Sequence, residues 1–480
     1  MGSNHISLRR RSRWRRFITL ALTPLLALTA IAAHAQGVWL TLPSMTPRAF
    51  AARATAPCPD GLKNLCVYVV GGRGGTDLMT PQGTAEAFSP AAGTWASLQE
   101  MLTPRQDLAG VGAPCPKGLR RACVYAIGGY GAKTGYPAVV SNTVEAYSPA
   151  TNGWITLPTL PTARQGLAGV KAPCPEDLGV PLRGTCVYAL GGITVANPRG
   201  ATPVRTAEVY SPATNTWGHL PDMNIARAYL GAAAATCPSG LGLHGTCVYA
   251  IGGITGAGNT AAVTNEVEVY SPAANVWVKL TAMTTARSEL SAVGAPCPRG
   301  VVNGCVYAIG GTNGTASLAT VEVYSPATNA WVSLPPGMPT ARRGLMGTAA
   351  ACPKAPKERC VYAIGGLGVL PPPGNTALPP STADTILGTT EALPIERPRR
   401  QEGPSRPESS GRPESSGSPD SSVNPDSSGR PNSSGSPDSS SRPDSSGSPD
   451  SSGRPDSPGS PDGMGNPDGM GNPGRPAIDG

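Results

Sequence analysis

The chain has 480 residues, only 14% of them charged, and a formal charge of +8 that is unevenly spread. Residues 1–35 hold 6 Arg and no acid, residues 36–396 hold 23 Lys and Arg against 18 Asp and Glu, and residues 397–480 hold 9 against 12. Much of the apparent basicity therefore sits at the N-terminus. Beyond that N-terminal stretch no basic cluster with interleaved aromatics occurs, so no nucleic-acid partner is expected.

The first 35 residues read as a secretion signal. Arg9, Arg10, Arg11, Arg13, Arg15 and Arg16 form a basic start, residues 17–32 an apolar core, and Ala33-His34-Ala35 a small-x-small cleavage site before Gln36. The residues after Arg15-Arg16 do not fit a twin-arginine signal; an uncleaved anchor is the alternative. No other segment is apolar and long enough to span a bilayer, so a secreted or cell-surface location is expected, with no membrane span in the mature chain.

Residues 36–396 repeat one pattern six times. An arginine is followed ten positions later by a cysteine, a second cysteine comes eight to twelve positions on, and then Val-Tyr and a Gly-Gly pair. The arginines are Arg48, Arg105, Arg164, Arg227, Arg287 and Arg342, and successive Gly-Gly pairs lie 57, 63, 61, 58 and 55 residues apart. Each copy then reaches a glutamate (Glu86, Glu145, Glu208, Glu268, Glu322, Glu391). Five copies continue to a tryptophan: Trp95, Trp154, Trp217, Trp277 and Trp331. Periods of this length mark one supersecondary unit used as an array. The short apolar or alternating runs bounded by Gly, Pro, Asn and Ser predict four strands per unit.

The Gly-Gly pair after an apolar strand, the Glu-x-Tyr-Ser-Pro third strand and the tryptophan beyond it resemble the kelch repeat over roughly residues 37–396. The resemblance implies an all-β fold, a six-bladed kelch-type β-propeller. The paired cysteines depart from the usual kelch pattern. Blade six lacks its tryptophan, while Trp39 precedes the first arginine in a stretch that copies the fourth strands. The N-terminus is therefore expected to supply the outer strand of the last blade and close the ring. Gly- and Ala-rich inner strands such as residues 108–113 and 230–235 fit a crowded axis.

All 12 cysteines lie in the repeats, two per unit. With an export signal they read as six local disulfides, Cys58–Cys66, Cys115–Cys123, Cys174–Cys186, Cys237–Cys247, Cys297–Cys305 and Cys352–Cys360. The rival reading, a metal site, lacks the ligand spacing. From residue 397 Ser-Gly-Arg-Pro and Ser-Pro-Asp hexads take over, with almost no apolar residue. This predicts a disordered tail, a spacer or a solubilising segment, averaging on the order of 50 Å end to end.

Kelch propellers include enzymes, among them copper radical oxidases and sialic-acid epimerases, as well as binding modules. The two histidines of the repeats, His219 and His244, occupy different places in the unit, so no copper site is expected. No catalytic residue, metal or other cofactor is called for. The six arginines are the candidate ligand contacts, because propeller symmetry places them round one mouth of the channel, where they would favour an acidic ligand. The competing reading is that each pairs with a glutamate of its own or the neighbouring blade. The cysteine loops lie on the face opposite the arginines. The loops after Gly-Gly (residues 73–83, 130–142, 193–205, 254–265, 312–319 and 367–389) share the arginine face and vary most, which is where binding function usually sits. The expectation is a monomeric, secreted, non-catalytic module that binds an extracellular protein or glycan. A carbohydrate-active enzyme is the second reading, favoured if acidic and polar side chains converge in the channel. A structural wall or matrix protein is the third.

Overall fold

In the computed structural model the described residues are 37–59, 64–75, 80–131, 137–176, 178–194, 202–298, 304–369 and 384–395. The signal and tail expectations lie outside them. Four antiparallel strands make each blade, ordered first to fourth from the axis outward. Blade 1 consists of Ala52–Pro57, Leu65–Val70, Ala85–Ser89 and Thr94–Leu98, and blade 2 of Ala109–Pro114, Ala122–Ile127, Val144–Ser148 and Gly153–Thr156. Blade 3 consists of Ala168–Pro173, Thr185–Leu190, Ala207–Ser211 and Thr216–His219, and blade 4 of Gly231–Thr236, Thr246–Ile251, Val267–Ser271 and Val276–Lys279. Blade 5 holds Ser291–Pro296, Gly304–Ile309, Val321–Ser325 and Ala330–Ser333. Blade 6 takes Met346–Cys352, Ala355–Gly368 and Thr385–Ile395 from the C-terminal side and Leu40–Leu42 from the N-terminal side.

That last strand closes the ring as the sequence predicts. Leu40 lies opposite Ala392 and Leu42 opposite Thr390, so the outer edge of blade 6 is paired. Inner strands touch in a cycle, blade 6 against blade 1 included. Each tryptophan indole donates to a carbonyl of the preceding blade, Trp154 to Gln99 at 2.8 Å and Trp277 to Pro221 at 2.8 Å. Trp95 bonds Pro43 across the seam. Five of the six buried second-strand tyrosines pack on the next blade's third-strand aromatic, for example Tyr68 on Tyr147 and Tyr188 on Tyr270. The core is therefore a set of blade-to-blade interfaces and not one central mass.

The Gly-Gly pair is explained by crowding as well as conformation. The first glycine has φ between +55° and +65°, the second between +92° and +104°. A Cβ on Gly252 would sit 2.3 Å from the Arg287 carbonyl oxygen of the next blade, and one on Gly253 2.7 Å from that of Ala228. A side chain is thus excluded on both counts. All 12 cysteines are paired in the six local disulfides, each joining first and second strands of one blade.

Candidate binding faces

The six arginines do not line a ligand surface. Arg48 is 2% exposed and Arg105, Arg164, Arg227, Arg287 and Arg342 are fully buried. Each guanidinium runs beneath the Gly-Gly turn to the glutamate of its own blade, Arg164 to Glu208 at 2.6 Å, Arg227 to Glu268 at 2.7 Å and Arg342 to Glu391 at 2.7 Å. Arg48 meets Glu86 and Arg287 meets Glu322 in the same way, and Arg105–Glu145 is longer at 3.6 Å. A second guanidinium nitrogen donates to main-chain carbonyls around the turn, for Arg164 those of Gly191 and Thr206, both at 2.8 Å. The glutamate also accepts from the chain that enters the blade, for example from the Thr162 hydroxyl and the Asn224 amide. Burial lowers the arginine pKa values while the paired glutamates raise them. The result is a structural latch joining three segments of each blade. The expectation of arginine–ligand contact at Arg48, Arg105, Arg164, Arg227, Arg287 and Arg342 is corrected: all six guanidiniums are buried and each is paired with a glutamate inside the protein.

What faces the mouth of the channel is the residue two beyond each arginine. These are Phe50, Asp107, Gly166, Tyr229, Glu289 and Gly344, and all six have φ between +53° and +62°. Their amides and carbonyls form a head-to-tail circle of hydrogen bonds round the axis, from Asp107 N–H to Phe50 C=O through to Phe50 N–H to Gly344 C=O, each between 2.7 and 2.9 Å. The two glycines have a further reason: the Tyr229 ring lies 3.1 Å from a Cβ placed on Gly166, and the Phe50 ring 2.7 Å from one on Gly344. Phe50 and Tyr229, from opposite blades, meet edge-on across the axis at 6.3 Å and stop the mouth.

Asp107 and Glu289 flank this plug from a second opposite pair of blades. Burial is the main cause that pushes Asp107 up to about 6; Arg73 works against it, Glu289 adds to it, and the Gln106 amide lowers it. The Arg73 guanidinium stacks on Phe50 at 4.2 Å. The Tyr229 hydroxyl is raised by burial first and then by both carboxylates.

Beside the plug the loops after Gly-Gly of blades 4 to 6 enclose a groove of about 690 Å³. Its polar lining comes largely from hydroxyls, Ser288, Thr312, Thr315 and Ser317. Arg343 is held in it between Glu289 (2.9 Å) and Asp384 (2.8 Å). Asn313 of the sequon Asn313-Gly314-Thr315 is exposed at its rim, its side-chain oxygen accepting from the Thr315 and Ala316 amides. Among the described residues, no group of three or more His, Cys, Asp or Glu is placed to hold a metal, and no helix is long and apolar enough to cross a membrane.

Sequence reasoning missed Asp107, Glu289, Tyr229 and Arg343. The signal was present: the position two after the arginine is glycine in two copies and varies in four, inside a repeat otherwise strict. Only the ring brings residues 50, 107, 229 and 289 together.

The Kelch motif family model matches residues 123–161, 177–224, 235–284 and 297–338, within blades 2 to 5. Kelch-like protein 25 of Xenopus tropicalis is 25% identical over 281 residues, 58% of this chain and 40% of that protein. Kelch-like protein 23 of Homo sapiens is 25% identical over 275 residues, 55% of this chain and 39% of its own length. Beta-scruin of Limulus polyphemus is 29% identical over 175 residues, 35% and 17% respectively. The chain thus spans at most about 40% of the length of these relatives. A solved structure described as "Structure of YjhT" is similar at 15% identity and a TM-score of 0.47, covering 72% of this chain and 99% of that one.

Proposed function

Because this chain is a kelch-repeat protein whose repeats close into a six-bladed propeller, we propose that it is an exported, non-catalytic binding module recognising an extracellular protein or glycan through the face that carries the Gly-Gly loops. The observation that carries this is the groove of about 690 Å³ on that face, whose hydroxyls and Arg343 suit a ligand rich in hydroxyl and carbonyl groups. Its volume falls within the roughly 300–1,000 Å³ of small-molecule and glycan-sized sites. Variable loops on a disulfide-stapled scaffold are the usual carriers of such recognition. The test is a glycan and protein array probed with the mature chain, followed by Arg343→Ala, Leu119→Ala and Leu241→Ala. Arg343→Ala should weaken the hit by about tenfold, as expected for loss of a charged hydrogen-bonding group. The two cysteine-loop variants should leave it unchanged. Loss of binding in the cysteine-loop variants with Arg343→Ala silent would reverse the faces.

A second reading, an enzyme acting on carbohydrate, is supported by the convergence of Asp107, Glu289 and the Tyr229 hydroxyl at the channel mouth. A desolvated carboxyl with its pKa near 6 is suited to general acid–base chemistry. Turnover of a carbohydrate that Asp107→Asn abolishes would favour this reading over a binding module.

A further inference from the structure

The six first strands that surround the channel are Ala52–Pro57, Ala109–Pro114, Ala168–Pro173, Gly231–Thr236, Ser291–Pro296 and Met346–Cys352. Two residues in them are charged, Arg53 and Lys171, and both are basic. Aligned through their pairing with the second strands, the residues level with Arg53 are Gly110, Gly169, Ala232, Ala292 and Gly347. Level with Lys171, two residues nearer the cysteine loops, are Thr55, Gly112, Ala234, Gly294 and Ala349. Each level therefore carries one long cationic side chain and leaves the rest of the cross-section clear.

Arg53 reaches from blade 1 to blade 5. Its Nε donates to Ser291 Oγ at 3.0 Å and its Nη2 to the Ala292 carbonyl at 2.7 Å. Among the described residues its Nη1 has no protein partner and no carboxylate touches the group. Burial pulls its pKa down to about 10. Toward the cysteine face lies a well of about 410 Å³ lined by Arg53, Lys171 and Arg359, with no Asp or Glu among its described lining residues. Behind Arg53 the channel narrows to about 100 Å³ among Leu108, Leu167, Leu230, Leu290 and Leu345, and the Phe50–Tyr229 pair stops it beyond. The well is thus blind at the Gly-Gly loop face. A desolvated guanidinium without a counter-charge is costly, and an anion that supplies one offsets that cost. This differs from the six latch arginines, each of which has its glutamate.

We propose that the well is a binding site for a small-molecule oxyanion of about monosaccharide size, a carboxylate or a phosphate ester, entering from the cysteine face. Its charged group seats against the free nitrogen of Arg53, with Lys171 and Arg359 nearer the opening. The site is separate from the loop-face groove, so either can fail without the other. The experiment is calorimetric titration of the mature chain with glucuronate, glucose 6-phosphate and glucose at about 0.15 M salt, where long-range surface attraction is screened. Saturable binding of at least one anion and none of glucose is expected; the tighter anion tells carboxylate from phosphate. Arg53→Gln should weaken it by about tenfold or more. Lys171→Gln should weaken it a few-fold. Lys171 is exposed and makes no hydrogen bond among the described residues, so this variant keeps the test open even if Arg53→Gln does not fold. Lys354→Gln, exposed on the same face outside the well, should change nothing. Failure of both anions to bind saturably, full affinity in both well variants, or an equal loss in Lys354→Gln would overturn the proposal.

Discussion

The latch arginines show how one residue type can be read two ways until burial is known. With Arg164 and Glu208 both fully buried and bonded at 2.6 Å, removing one partner strands the other charge. Arg164→Ala and Glu208→Ala should each cost about 3–5 kcal/mol of stability by denaturant titration. The double change to a matched apolar pair should cost less than either single. A single variant within about 0.5 kcal/mol of wild type would contradict the latch. Asp107 carries a separate, pH-linked expectation. Its folded pKa of about 6 lies above the ordinary 3.8. Its contribution to stability is therefore full below about pH 4 and is lost as pH rises through 6. Asp107→Asn should gain about 2–3 kcal/mol over wild type at pH 7.5 relative to the difference at pH 3.5. Referencing to pH 3.5 removes the separate benefit of Asn at a positive φ. A pH-independent difference would show that the carboxylate is not desolvated.

Strand pairs and their turns carry the next level of stability. The Gly-Gly turn ends the second strand where the neighbouring blade's main chain presses on it, so Gly252→Ala meets both a left-handed φ of +60° and a carbonyl at 2.3 Å. A loss of about 3 kcal/mol or more is expected in thermal or chemical unfolding, whereas Gly179→Ala, with open space around its Cβ position, should lose no more than the backbone strain. The disulfides act on the same strands from the other end. Peptide mapping without reduction should recover Cys115 joined to Cys123 and Cys174 to Cys186. Reduction should destabilise each blade by roughly 2–3 kcal/mol in the loop-entropy model. Free thiols or inter-blade links would count against local pairing.

At the scale of the ring, stability depends on closure, because the core is distributed over six blade interfaces. Deleting residues 37–45 removes the strand Leu40–Leu42, the buried Trp39 and the bond from Trp95 to Pro43. It exposes the outer edge of Thr385–Ile395, so a clear fall in melting temperature or aggregation is expected. Removing residues 400–480 should leave the melting temperature nearly unchanged. A silent N-terminal deletion would contradict closure by that strand.

Much of this was legible from residues alone because repetition acts as its own control. Six copies of Arg, Cys, Cys, Gly-Gly and Glu point to strand number, to local disulfide pairing and to the seam at Trp39, since each feature is a local consequence of one unit or of its missing piece. Burial and convergence are different in kind. Whether Arg48 or Arg342 faces a ligand depends on whether a glutamate some forty residues away in the chain folds back beneath the same turn. That Phe50 and Tyr229 touch, that Asp107 and Glu289 flank them, and that Arg53 and Lys171 stand alone at their levels of one channel are consequences of closing the ring. They relate residues in different blades, and the repeat pattern, by averaging over blades, hides the positions where blades differ.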